Sequence, residues 1–292
     1  MNEHPVITLS CRYHQLLLPI REGMRNTEQY KDAVLRGKCP EEVRPEFSMN
    51  ENDVLTHFAV PAGDVDVLLL SERADFEHAI QALAYRCEPT AIPDSMGASI
   101  ISGLINWEKI NKHMEEYAAS GFSDINDEFA RFTSEKANYL DTVIILSSGP
   151  YSAVPAASMG MDEAEWLEKS VTIRKYHELT HFTSVRLYPE NKNALRDEVV
   201  ADMIGLIAAF GRYDTHAARL FLGIEGETYR NGGRLQNYSP DDDGAAVMPC
   251  ALKIIEELQA ALPEKMPDDV FDILDFVEKN KIGPFYDAEL GV

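Results

Sequence analysis

Positively charged residues are few in this sequence. The chain has 27 lysines and arginines against 49 aspartates and glutamates, which gives a formal net charge of −22. A surface of this sign repels phosphate backbones and anionic lipids, so the composition argues against nucleic-acid and membrane partners. Hydrophobic residues make up 45% and charged residues 26% of the chain, as in ordinary folded proteins, so we expect a globular chain and not a disordered one.

Cysteines and long apolar runs are also scarce. The four cysteines form no CxxC pair, which argues against a disulfide framework and indicates reduced thiols. The longest apolar runs, residues 67–70 and 203–210, are far shorter than the ~20 residues that span a bilayer. Residues 1–5 contain no basic leader and no long apolar segment follows them, so we expect a cytoplasmic location.

Hydrophobic periodicity and turn residues predict an α+β protein. Residues 88–97 contain two prolines and a glycine and indicate a boundary between an N-terminal mixed α/β region, residues 1–92, and a mainly helical region, residues 93–292; one continuous unit is the alternative. The extended segments expected are 6–9, 13–20, 54–60, 65–70 and 142–146. The helices expected are 26–36, 71–86, 100–119, 124–138, 162–187, 194–222 (broken at Gly211), 245–262 and 267–280.

The most informative segment is the H-E-x-x-H pattern formed by His177, Glu178 and His181. Two histidines four positions apart in a helix project from one face, one turn apart. They can bind a single Zn²⁺, while Glu178 lies about 100° round the helix and can reach a water on the metal. The alternative is a helix with two surface or core histidines.

A second pair of residues strengthens the metal interpretation. Glu198 and Asp202 are also four positions apart, in a segment with many apolar residues. Carboxylates on so apolar a helix need a partner, because a buried unpaired charge is costly. Zinc on the two histidines would be that partner for Glu198, and Asp202 would accept the free N–H of a ligating histidine. Alternatively, both carboxylates are solvated or paired with Arg196 or Arg174. The small residues Ala201 and Gly205 would let another helix approach.

The sequence H177-E178-x-x-H181 followed by E198-x-x-x-D202 resembles the gluzincin branch of the zinc metallopeptidases. The resemblance covers about 45 residues, without the GAMEN-type signature of the zinc aminopeptidases and with a slightly shorter spacing before Glu198. It implies a zincin-like fold and one Zn²⁺ per chain bound by His177, His181 and Glu198. It further implies that Glu178 is the general base and that Asp202 supports a ligand.

The expected function is therefore a zinc-dependent hydrolase, a metallopeptidase acting on peptides or proteins. The alternatives are a non-catalytic zinc-binding or interaction module, and a metal-free helical domain in which the motif is coincidence. An edge strand that binds the substrate backbone is expected at residues 143–149, with an ordinary buried strand as the alternative. We expect Tyr238 to donate the hydrogen bond that stabilises the oxyanion, and the alternative donors are Tyr229, Arg230, Arg234 and His216.

Overall fold

The computed structural model describes residues 3–40, 46–239 and 241–284. The chain forms two compact units. The first comprises Met1–Phe58 and Val65–Ser147, and the second comprises Ala59–Asp64 and Ser148–Val292. The predicted boundary between residues 92 and 93 falls inside the first unit, because two strands that follow it belong to the same sheet as a strand that precedes it.

The first unit is an α+β structure built on a four-stranded sheet. The strands are β1 (Val54–Val60), β2 (Gly63–Leu70), β3 (Ala98–Ile105) and β4 (Leu140–Ser147), in the order β1-β2-β4-β3. The hairpin residues Ala59–Asp64 at the junction of β1 and β2 belong to the second unit. Its helices are α1 (Pro5–Arg12), α2 (Glu28–Tyr30, continued as a π-helix over Lys31–Leu35), α3 (Arg73–Leu83), α4 (Trp107–Ala119) and α5 (Ile125–Ser134). Apolar side chains of α1 and α3 and alternate residues of β2 and β4 form the core of this unit.

The strand at residues 143–146 is an interior strand, so the edge-strand prediction is wrong. β4 pairs in parallel with β2, with Val143 opposite Asp66, and antiparallel with β3, with Val143 opposite Ile101. Both of its hydrogen-bonding edges are therefore occupied within the sheet, and residues 143–146 are almost fully buried. The alternative, an ordinary buried strand, is what the structure shows.

Three other segments differ from the predicted elements. Residues 13–20 contain no strand, because the Leu16 and Leu18 N–H groups donate to the Tyr13 and Gln15 carbonyls and form a 3₁₀ turn over His14–Leu17. Residues 6–9 are helical because Pro5 occupies the first turn of α1 and His4 Nδ1 accepts a hydrogen bond from the Val6 N–H, a cap that outweighs local β propensity. Residues 100–105 belong to β3, because pairing with β4 satisfies their backbone groups. The register shifts between Ser102 and Leu104, where Gly103 has a φ of 79° that favours glycine.

The second unit is mainly helical. Its helices are α6 (Glu163–Leu187), α7 (Ala194–Phe210), α8 (Thr215–Leu222), α9 (Gly244–Ala261) and α10 (Val270–Lys279), and a small hairpin consists of β5 (Ile224–Glu225) and β6 (Thr228–Tyr229). Asp162 caps α6 by accepting a hydrogen bond from the Glu165 N–H at 2.8 Å. Gly211, in the left-handed region, ends α7 at the break predicted from the sequence. Within the described part of the chain, no helix is both long enough and apolar enough to cross a membrane.

Candidate metal centre

The site is built on α6 and α7, which pack closely against each other. Gly205 makes this approach possible, since a Cβ at that position would lie 2.7 Å from the backbone oxygen of Ile173. Ala201 is fully buried. The prediction that a small residue lets another helix approach is therefore confirmed at Gly205, and the neighbour is the helix that carries His177 and His181.

The close contact brings three ligand-type side chains together. The Nε2 atoms of His177 and His181 are 3.0 Å apart. Glu198 Oε1 is 3.3 Å from His181 Nε2, and Glu198 Oε2 is 3.6 Å from His177 Nε2. Two ligands of a tetrahedral zinc, each bound at about 2.0–2.1 Å, are about 3.3 Å apart. The donor types and their separations therefore fit a zinc ion held by His177, His181 and Glu198.

The hydrogen bonds of His177 also suit metal binding. Its Nδ1 lies 2.9 Å from Asp202 Oδ1, an oxygen that can only accept while Asp202 is ionised. A proton on Nδ1 leaves the Nε2 lone pair free on the side that faces His181 and Glu198. Asp202 is thus the acceptor beside Nδ1 of His177, the contact that would orient this histidine if it bound a metal.

A half-buried arginine pairs with both carboxylates. Arg234 Nη2 donates to Glu198 Oε2 at 2.5 Å, and Nη1 donates to Asp202 Oδ2 at 3.1 Å. Burial alone raises the pKa of Glu198, but its hydrogen bond with His181 and the charges of His177 and Arg234 lower that pKa well below its ordinary value. Burial likewise raises the pKa of Asp202, but the charge of Arg234 and the contact with His177 lower it by more, so the net shift is downward.

The two arginines proposed from sequence have other contacts. Arg196 is buried and pairs with Glu278 at 3.1 Å. Arg174 Nη2 donates to the carbonyl oxygens of Gly149 and Pro150 at 3.0 and 3.2 Å.

Two groups expected to take part in catalysis lie at or near this cluster. Glu178 is half-buried in α6, directly after His177. The charge of Glu178 acts on the neighbouring His181. Burial alone would lower the pKa of His181, but the hydrogen bond with Glu198 and the negative charges of Glu198 and Glu178 raise it. Tyr238 ends the 3₁₀ turn Arg234–Tyr238, and burial and the charge of Glu198 raise its pKa.

The other oxyanion candidates have different surroundings. Tyr229 donates to the Gly233 carbonyl at 2.5 Å, and its ring lies where a Cβ on Gly244 would clash. Arg230 pairs with Glu225 at 3.4 Å, and His216 is exposed at the start of α8. Tyr229 therefore stabilises the turns that carry Arg234 and Tyr238, and it does not point its hydroxyl at the ligands.

Sequence reasoning missed Tyr151 altogether and assigned Arg234 a different role. The Tyr151 hydroxyl donates to Asp202 Oδ1 at 2.5 Å and lies 2.8 Å from His177 Nδ1. No local pattern marks either residue, since Tyr151 precedes His177 by 26 positions and Arg234 follows Glu198 by 36. The apolar character of the helix around Asp202 was the available signal that further buried donors are required.

A family model matches residues 2–266 of the chain, and its description is a family of unknown function, DUF7005. The chain belongs to this family. No significant match was found among curated proteins or among solved structures.

Proposed function

We propose that the protein is a zinc-dependent hydrolase of the metallopeptidase type, with a zincin-like second unit similar to that of gluzincins. The observation that carries the proposal is the convergence of His177 Nε2, His181 Nε2 and a Glu198 carboxylate oxygen at separations of 3.0 to 3.6 Å. Three protein ligands leave a fourth position for water or substrate, the arrangement typical of catalytic zinc.

The residues around the ligands support the same chemistry. A zinc ion bound there would polarise a carbonyl and make water a nucleophile near neutral pH. Glu178 accepts the proton of the attacking water and returns it to the leaving amine. Tyr238, held near Glu198 with a raised pKa, stays protonated and can donate a hydrogen bond to the carbonyl oxygen as charge develops there. His177 stays oriented through its contact with Asp202.

A non-catalytic role is the second candidate, and one observation favours it. Arg234 already supplies a positive charge to Glu198 and Asp202, so the cluster has a charge partner without any metal. A metal-free interaction module would keep this ion-pair network. The two candidates differ in whether the protein hydrolyses peptides, and a metal-free module would in addition take up no zinc.

Metal content of the full chain is the first test. We expect elemental mass spectrometry of protein purified without added metal to find about one zinc per chain, as one catalytic site requires, and the His177→Ala variant to lose it. Absence of zinc in the wild type, with none taken up on addition, would refute the metal site and leave the second candidate.

Turnover of a peptide library is the second test. Glu178→Gln should keep the zinc and abolish cleavage, because an amide at this position cannot accept the proton of water. Full activity in this variant would show that the assigned mechanism is wrong. Zinc in the wild type without any peptide cleavage would favour the non-catalytic role.

A further inference from the structure

The short turn at residues 149–154, which precedes α6, is held against α6 by three evenly spaced side chains of that helix. The Tyr151 N–H donates to Ser170 Oγ at 3.0 Å, and Trp166 Nε1 donates to the Val154 carbonyl at 2.7 Å. Arg174 donates to the two carbonyls that precede Tyr151. Because these anchors are four residues apart in α6, they lie along one face of the helix, directly before His177.

The backbone of this turn adopts an unfavourable conformation. Ser152 and Ala153 have φ values of 51° and 54°, in the left-handed region that residues with a Cβ rarely occupy. Such conformations persist where the surrounding contacts determine them, and they cluster at functional sites. The anchors in α6 supply those contacts. The result is that Tyr151 is directed at His177 while Ser152 Oγ accepts from Arg234 at 3.0 Å.

The hydroxyl of Tyr151 has one proton, and its direction follows from its neighbours. Tyr151 is buried, with 6% of its surface exposed, and Asp202 Oδ1 at 2.5 Å is the acceptor for that proton. Its oxygen therefore accepts from His177 Nδ1 at 2.8 Å. The Nδ1–H of His177 thus faces two acceptors, the hydroxyl oxygen of Tyr151 and Oδ1 of Asp202.

We infer that Tyr151 is a positioning residue for the metal ligand His177, acting together with Asp202 to hold its ring and keep its Nε2 lone pair directed at the ion. The inference rests on the proposed metal site. The strained turn thus places the hydroxyl of Tyr151 on the side of His177 opposite the metal.

Packing of the Tyr151 ring is the competing explanation. The ring contacts Phe221 edge-on, with centroids 4.8 Å apart. Phenylalanine keeps this contact, so Tyr151→Phe removes the hydroxyl alone. Tyr213→Phe is the matched control, because Tyr213 is equally buried and its hydroxyl has no hydrogen-bond partner among the described residues. Burial, and then the charge of Asp202, raise the Tyr213 pKa, so the control hydroxyl senses the same carboxylate.

The experiment measures the zinc dissociation constant of the full chain by competition with a chromophoric chelator. We expect Tyr151→Phe to bind zinc about ten-fold more weakly, within the range for lost partners of ligating histidines, and Tyr213→Phe to bind like the wild type. We expect Tyr151→Phe to have a smaller effect when Asp202→Asn is already present, because residues of one hydrogen-bond network do not contribute additively.

Equal zinc affinity in Tyr151→Phe and Tyr213→Phe would overturn the inference, and so would full additivity with Asp202→Asn. In either case zinc binding by the wild type would leave the proposed function intact, whereas no zinc binding by the wild type would refute both. If Tyr151→Phe does not fold, Ser170→Ala replaces it. This variant keeps the hydroxyl, releases the Tyr151 N–H and is expected to weaken zinc binding; unchanged affinity there would contradict the inference.

Discussion

The ion pair between Arg196 and Glu278 joins the start of α7 to α10 and gives a sharp prediction for stability. Arg196 is 0% exposed and Glu278 is 2% exposed. Arg196 Nη1 lies 3.1 Å from both oxygens of Glu278. Asn191 Nδ2 donates to Glu278 Oε2 at 2.8 Å. Glu278→Gln removes the closest negative charge from the buried guanidinium of Arg196, and the carboxylate of Asp197, with Oδ1 3.8 Å from Arg196 Nη1, is farther away.

Removing one partner of a buried ion pair costs about 3–5 kcal/mol. Glutamine retains the size of the side chain and its carbonyl can still accept a hydrogen bond, so we expect the lower end, about 3 kcal/mol in the free energy of unfolding. With a urea dependence of about 2 kcal/mol per molar, the unfolding midpoint should fall by about 1.5 M.

Urea unfolding followed by tryptophan fluorescence measures this change. The chain has two tryptophans, and a Trp107→Phe background leaves Trp166 of the second unit as the reporter. A chelator keeps the protein metal-free, so that zinc binding does not add to stability. The control is Glu257→Gln, which breaks an exposed pair with Lys253 at 4.0 Å and should cost less than about 0.5 kcal/mol. Equal midpoints for the two variants would refute the reasoning.

Two further predictions concern other buried positions. Gly205→Ala should destabilise the second unit by about 1–2 kcal/mol, because overpacking against the Ile173 backbone exceeds the gain of about 1 kcal/mol in helix propensity. Thermal melting measures this change. An unchanged or higher melting temperature would contradict the close contact of α6 and α7. Burial and the charge of Glu88 raise the pKa of Cys87 to about 12, so alkylation at pH 8 followed by mass spectrometry should modify the two exposed cysteines and spare Cys87 until denaturation. Labelling of Cys87 at the rate of the exposed thiols would count against its burial.

The parts of the fold that follow from local rules are those the sequence predicts well. The long helix after Asp162, its neighbour ending at Gly211 and the strand at residues 142–146 all have periodicity, caps or β-branched runs that act over a few residues. The spacing of four within each pair of candidate ligands is equally local, so the shared helix faces could be predicted.

The parts that could not be predicted depend on distant partners. Residues 100–105 became a strand because β4, some forty positions later, pairs with them. The edge-strand prediction was wrong for the same reason, since the order of strands in a sheet depends on segments that lie far apart in the sequence. Tyr151 and Arg234 reach the site from turns whose sequences contain no periodic signal, and only the assembled second unit brings them to Asp202.

Because Arg234 follows α7 in the chain, Glu198 and Asp202 are synthesised before the arginine that pairs with them. The helical pair α6 and α7 contains both histidines and both carboxylates in one contiguous stretch, and contacts between neighbouring segments form quickly in folding. Arg234 is synthesised 36 residues after Glu198. A nascent chain that ends before Arg234 therefore contains Glu198 and Asp202 without their arginine, and docking of the glycine-rich segment at residues 223–244 supplies it. Completion of the charge cluster thus depends on docking of a segment that contributes none of the three candidate ligands.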